Sequence, residues 1–186
     1  MDVLETIRTR RSVREFTRDP VAEPILSTLF DAAVHAPNAI NEQPWEFTVV
    51  RDPVVLETIS VRAKAHALAT LPAGSVPAPL RGRLEDPTFQ IFYHAPVLIV
   101  ISGAGPSRWV VEDCTLAAEN LMLAACSMGL GTCWIGFAQG YLNTTEGKGL
   151  IGLPASSVVV APIIVGHPQA ASRATPRAQP TVRWIG

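Results

Sequence analysis

The sequence predicts a β-sheet covered by helices on both faces, and three observations carry that prediction. A continuous apolar run of strand length, residues 97–102 (VLIVIS), belongs at the centre of a sheet, where both faces are buried. A long segment from Trp109 to Met128 is apolar on most sides of a helix, broken by Glu112, Asp113, Glu119 and Asn120. Such a helix needs cover nearly all round, in a core or a subunit interface. Helical and β-branched segments mix without a strict strand–helix–strand alternation, and neither an internal repeat nor a linker divides the 186 residues. Residues 1–186 are therefore expected to form one domain, with an extended tail from about residue 167. Hydrophobic residues make up 48% of the chain, enough for a substantial core, and the low charged fraction argues against disorder.

In chain order, Asp2 to Thr9 reads as a short helix with Val3, Leu4 and Ile7 at helical spacing. Val21 to His35 is a second helix, with Ile25, Leu26, Leu29, Ala32 and Ala33 on one stripe, stopped by Pro37. Residues 36–44 (APNAINEQP) form a polar loop between prolines, and Glu46 to Arg51 alternates as a strand does. Val54 to Leu71 is helical in pattern. Residues 72–88, punctuated by four prolines and two glycines, read as an irregular stretch, either a mobile functional loop or a lid. Gly129 caps the long helix, and Thr132 to Ile135 is a short strand or extended turn. Val158 to Val165 is β-branched and interrupted by Pro162, which favours an edge or a bulge. Residues 167–186 lack periodicity and must pack on something.

The net charge of −1 argues against a dedicated nucleic-acid binder. That sum averages over two basic ends. Of 15 basic residues only Lys64 and Lys148 are lysines; Arg8, Arg10, Arg11, Arg14 and Arg18 crowd the N-terminal region, and no acid follows Glu146. Arginine presents a planar fork of donors suited to phosphate or carboxylate, so the two ends could grip a small anion; plain surface arginine is the alternative. No segment reaches the length of a membrane span, and the N-terminus lacks the apolar core of a signal peptide. Cys114, Cys126 and Cys133 form no CxxC pair, so buried thiols in a reducing cytoplasm are expected rather than a disulfide or zinc site. His35, His66, His94 and His167 are scattered, without metal-ligand spacing.

Three constellations could carry chemistry. Arg10-Arg11-Ser12-Val13-Arg14 follows a helix C-terminus, which repels anions, so the side chains must supply any attraction. In the second, the amides of Asn38, Asn41 and Gln43 can both donate and accept, matching a heterocycle edge, although an ordinary turn explains them equally. The third, Gly129 to Gly136 (GLGTCWIG), has Trp134 where a dinucleotide fingerprint needs glycine. It also runs from helix into strand, the reverse of that motif. Its glycines let backbone approach a flat ligand closely, and a main-chain N–H near Gly136 could bond the ligand edge. Neither a GxSxG elbow nor a phosphate-loop lysine motif is present. Glu112 and Glu119 share a helix face, for which helix capping and interface pairing are better readings than paired-carboxylate catalysis.

In this order the motifs resemble the FMN-dependent nitroreductase family. RTRRSVREF is similar to its opening RRSxR motif, HAPNAINEQPWEF to its APSxxNxQPW segment, and ENLMLAACSMGLGTCWIG to its central helix and following turn; PRAQPTVRW is a looser match to its closing segment. The resemblance covers essentially the whole chain. It implies an α+β fold, a three-layer α/β/α sandwich with a central mixed sheet. It also implies an intertwined homodimer holding two FMN molecules at its interface, each touched by both subunits. The Trp109–Met128 helix would then be an interface helix, and the tail would wrap the partner.

By the same resemblance, Arg10 would hold the FMN phosphate, with Arg11 and Ser12 supporting that end, and Arg14 would approach the pyrimidine edge. A guanidinium there favours the reduced flavin, which carries negative charge around N1 and O2. Pro37, Asn38, Ala39 and Asn41 would line the ring and ribityl chain. Trp134, Ile135 and Gly136 would lie against the ring, with the Gly136 N–H near N5, and Arg177 would return from the tail to the phosphate. Asn38 departs from the family's usual serine, and Ala178-Gln179 replaces a usual basic pair, so Arg173 or Arg183 could take the place of Arg177. The implied activity is ping-pong transfer of hydride from NAD(P)H through flavin N5 to a nitroaromatic or quinone, with no side chain required as acid or base. Two alternatives are a specialised flavin enzyme of the same fold, such as a reductive dehalogenase or flavin-cleaving enzyme, and a non-catalytic FMN-binding or sensing protein. The implied location is cytoplasmic, with neither nucleic acid nor membrane as partner.

Overall fold

A computed structural model describes residues 2–186 apart from 73, 106–107 and 172–173. Four strands, β1 (Trp45–Val50), β2 (Val97–Gly103), β3 (Gly131–Trp134) and β4 (Val158–Gly166), form one sheet in the order β1–β2–β4–β3, with every strand pair antiparallel. Among the described residues, parallel pairing is confined to a single bridge, Ser12 to Thr132, so the sheet is less mixed than expected. The segment after the first helix pairs with β3 through Ser12 and Val13. It then turns to pair antiparallel with the residues after β4, through Thr17 N to His167 O and Gln169 N to Glu15 O.

The expected layers are present, and side-chain alternation along β2 explains them. Val97, Ile99 and Ile101 face helices α2 (Glu23–Val34) and α5 (Val110–Ser127), packing with Leu26, Leu29, Ala117 and Leu121. Leu98 and Val100 face α3 (Pro53–Thr70) and α6 (Gly136–Leu142), packing with Ile59, Ala63, Ala138 and Leu142. Successive strand residues point to opposite faces, so a strand buried on both sides must be apolar on both, as Val97 to Ile101 are. Deleting such a side chain, for example by Ile99→Ala, costs about 2–5 kcal/mol.

Local chemistry sets the helix ends. Asp52 caps α3 by accepting from Val54 N and Val55 N, with Pro53 at the first helical position, where its missing N–H is harmless. Gly129 ends α5 at φ +78°, with Gly129 N donating to Cys126 O and Leu130 N to Ala125 O. That paired closure requires a left-handed residue after the helix, which glycine supplies without strain.

Two expectations need correction. Residues 72–88 are not irregular throughout: helix α4 (Ala78–Glu85) forms within them, with Pro79 in its first turn, where proline is tolerated, and Leu84 buried against the α3 side of the core. Pro162 lies on an interior strand rather than an edge. Its carbonyl accepts from Ile135 N just where β3 ends, and the reciprocal bond is the one proline cannot make. A bulge does stand close by, at the register shift between Ile101 and Ser102 opposite Val160. The apolar face of α1 (Val3–Thr9) points outward, with Val3, Leu4 and Ile7 each more than half exposed, while Thr6 is its buried residue. A further short helix, α7 (Thr145–Leu150), precedes β4. Among the described residues, no helix is long and apolar enough to cross a membrane.

Candidate functional site

The Ser12–Thr132 bridge brings the N-terminal arginines to the mouth of β3. Val13 N donates to Thr132 O at 2.9 Å, which locks Arg10 to Arg14 alongside the turn that carries Trp134, Ile135 and Gly136. Gly131 makes this approach possible. A Cβ there would stand 2.8–2.9 Å from all three side-chain carbons of Val13.

Two cavities open on this junction. The first, about 780 Å³, is lined by Arg10, Arg11, Ser12 and Arg14 on one side and Thr175 and Arg177 on the other. The opposite ends of the chain therefore meet here, as the charge asymmetry suggests. Arg10 reaches Glu119 on α5 at 3.6 Å and remains partly exposed. Arg11 folds back on the C-terminal carbonyls of α1, donating to Arg8 O and Arg10 O, and leaves its Nε buried without a partner. Arg183 does not line this cavity, and Arg173 lies outside the described residues.

The second cavity, about 540 Å³, is walled by Trp134, Ile135, Gly136 and Phe137, by His66 and Thr70 of α3 and Leu71 just after it, by Leu80 and Arg83 of α4, and by Phe89 and Tyr93. Arg14 lines both cavities and lies over the Tyr93 ring at 5.9 Å. Gly136 opens α6 with open space where a Cβ would be, so a flat molecule can approach the main chain. Cys133 also faces this cavity. Burial pushes its thiol pKa up, against the opposing pull of Arg14, a hydrogen bond with Ser12, and Arg10, so it stays a neutral thiol rather than a nucleophile.

Pro37, Asn38, Ala39 and Asn41 line neither cavity of their own chain. Their loop winds through a 3-10 turn, Ala39–Asn41, pinned to α5 by Ala39 N donating to Asp113 Oδ1 at 3.0 Å. Asn38 Oδ1 accepts from Gln43 N, and Gln43 donates to Asn41. Ile40, Asn41 and Gln43 all have positive φ, and Ile40 is 88% exposed. Left-handed geometry at a β-branched residue is uncommon and marks a loop shaped for something beyond its own turn. Of the two carboxylates considered for paired catalysis, Glu119 faces Arg10 instead. Among the described residues, no group of histidine, cysteine or carboxylate side chains could hold a metal.

Residues 7–167 match the family model described as the Nitroreductase family. The chain belongs to the nitroreductase family. Its relatives include a putative NADH dehydrogenase/NAD(P)H nitroreductase of Methanothermobacter thermautotrophicus, 33% identical over 90% of this chain and 78% of that one. An FMN reductase [NAD(P)H] of Bacillus subtilis is 29% identical over 95% of this chain and 70% of that protein. Among solved structures, a Bacteroides fragilis nitroreductase with bound FMN superimposes at a TM-score of 0.84, with 30% identity and full coverage of both chains. In this nitroreductase-family chain, motif reading located the arginine cradle and the Trp134–Gly136 wall. It missed Arg83, Phe89, Tyr93, His66 and Thr70, which carry no motif and meet only through the packing of α3 and α4.

Proposed function

We propose that the protein is an FMN-dependent NAD(P)H oxidoreductase that reduces nitroaromatic or quinone acceptors in two successive half-reactions. The observation that carries this reading is that Arg14 joins the two cavities, one cationic and one aromatic. A molecule with a phosphate at one end and a flat ring at the other matches that pairing. The donor set fits it. Guanidinium forks suit a phosphate dianion, the buried Arg11 Nε still lacks an acceptor, and the Gly136 backbone is open to a ring. Arg10, Arg11, Ser12 and Arg177 would hold the phosphate end, Arg14 the pyrimidine edge, and Trp134, Ile135 and Gly136 the ring. FMN, when bound, would supply the hydride chemistry between NAD(P)H and the acceptor. The chain's own part is to bind, orient and exclude water, while Arg14 places positive charge where a reduced ring gathers negative charge.

The reading takes the 186 residues as one domain that works as a homodimer, with Pro37, Asn38, Ala39 and Asn41 reaching the partner's site. Support comes from the exposed apolar face of α1, from Ile40, and from Trp184 and Ile185, both more than 90% exposed in the single chain. Apolar exposure of this kind marks a surface that another chain covers. Anaerobic mixing of the FMN-loaded protein with NADH or NADPH should bleach its visible absorbance, and a nitroarene or quinone should restore it. A reductive half-reaction too slow to sustain turnover would instead favour a binding or sensing role.

A further inference from the structure

Arg83, on α4, shares the 540 Å³ cavity and the Tyr93 ring with Arg14, and it is held differently from the arginines that pair with acids. Arg81, Arg62, Arg51 and Arg10 each face a carboxylate within 4 Å. Among the described residues Arg83 has no ion pair or hydrogen bond. Its guanidinium lies instead over the Phe89 ring at 4.4 Å and near the Tyr93 ring at 5.7 Å, on the wall of the 540 Å³ cavity. No acid lines that cavity.

The platform beneath Arg83 is built rather than incidental. Phe89 and Tyr93 meet edge to face at 5.6 Å. The buried Lys64 ammonium donates to Phe89 O at 2.6 Å and to Asp86 O at 2.8 Å, fixing the turn that presents Phe89. Asp86 accepts from the Thr88 hydroxyl and N–H, which tightens the same turn and holds its carboxyl below the usual range. Tyr93 sits at φ +54°, a conformation uncommon for a bulky residue. A guanidinium stacked on rings keeps its N–H edge free and preoriented, and that fork matches the two oxygens of a carboxylate. Most of the remaining wall is apolar: Ala67, Leu71, Leu80, Ile91, Trp134 and Phe137.

We propose that Arg83 makes this cavity selective for planar aromatic acceptors carrying a carboxylate, which the guanidinium takes while the ring lies against the apolar wall. This inference rests on the oxidoreductase reading above. It assigns α4 a recognition role rather than a covering role alone.

The test compares 4-nitrobenzoate with its neutral counterpart 4-nitrobenzamide, in the FMN-loaded protein and in Arg83→Met. The ratio of kcat/KM for the two acceptors cancels general losses in each variant. Arg83→Met should lower the ratio about tenfold, as expected for losing a charge-assisted bidentate contact at a partly exposed site. Arg83→Lys should fall between, because it keeps charge and loses the fork. Arg81→Met, on the same helix and outside the cavity, should leave the ratio unchanged. Calorimetric titration with benzoate gives a readout independent of turnover, with binding weakened in Arg83→Met by a similar factor. Equal ratios and equal benzoate affinities in wild type and Arg83→Met would overturn the proposal. A change in NADPH-over-NADH preference with an unchanged acceptor ratio would also overturn it, by assigning the cation to the donor's phosphate. A protein that takes up no FMN yet loses benzoate binding on Arg83→Met would refute the oxidoreductase reading and leave the anion site standing.

Discussion

Gly131→Ala tests whether the arginine cradle depends on close contact between the Arg10–Arg14 segment and β3. The added Cβ would lie 2.8, 2.8 and 2.9 Å from Val13 Cβ, Cγ1 and Cγ2. Carbon contacts are favourable only at about 3.5–4.0 Å, so the two segments must part by more than about half an ångström. Val13 is buried and β-branched, so no flexible side-chain end can swing away. Parting the segments stretches the 2.9 Å bond from Val13 N to Thr132 O. Overpacking of this kind costs about 1–3 kcal/mol. At about 2–4 °C per kcal/mol for a chain of this size, Tm should fall by about 2–12 °C. Arg10, Ser12 and Arg14 move with the segment, so FMN affinity should fall by about tenfold, near the 1.4 kcal/mol that a strained contact can lose. Thermal melting and fluorescence titration with FMN read the two effects. Adding Val13→Ala removes two of the three crowded carbons and should recover part of both losses. Unchanged Tm and unchanged FMN affinity in Gly131→Ala would refute the reasoning.

Three further outcomes follow from individual residues. Arg10→Ala should weaken FMN binding by about ten- to a hundredfold, since a charge-assisted phosphate contact contributes about 1.5–3 kcal/mol; equilibrium titration checks it, and an unchanged affinity would place the phosphate elsewhere. Lys64→Met should cost about 2–4 kcal/mol by leaving the carbonyls of Asp86 and Phe89 without their donor, seen as a lower urea midpoint, and should also weaken benzoate binding by loosening the Arg83 platform. Burial, with Asp113 beside it, pushes the Cys114 thiol from about 9 up to about 12. Above pH 9 the unfolded chain therefore releases this proton while the folded chain keeps it. Stability should fall between about pH 9 and pH 12, and Cys114→Ala should flatten that fall in denaturation measured across the window.

The layers and the cradle were legible in the sequence because they rest on strong local signals. Residues 97–101 had to be central because every one of them is apolar, and Gly129 had to end α5 because the turn needs positive φ. The arginines of the first motif suggested an anion site by residue type, with plain surface arginine as the alternative, and the family resemblance favoured the first reading. What stayed hidden depended on tertiary contacts. α4 is short and begins among prolines, so its sequence reads as loop until Leu84 is seen buried in the core. Pro162 reads as an edge signal until the end of β3 accounts for its missing N–H. Val3, Leu4 and Ile7 have helical spacing that implies burial, yet in the single chain their face meets solvent, because periodicity shows that a face needs cover and not what covers it. Arg83 went unnoticed because its partners are rings from a different segment, a pairing that sequence spacing does not encode.

The proposed function stands on a flavin nucleotide occupying the linked cavities around Arg14. Titration of the flavin-free protein with FMN, followed by visible absorbance and quenching of flavin fluorescence, measures this directly. The expected result is saturable binding of about one FMN per chain, weaker binding of riboflavin, which lacks the phosphate that the arginines would hold, and release of the yellow cofactor on denaturation. A protein that is purified colourless and leaves added FMN free in solution, or that binds riboflavin as tightly as FMN, would contradict it.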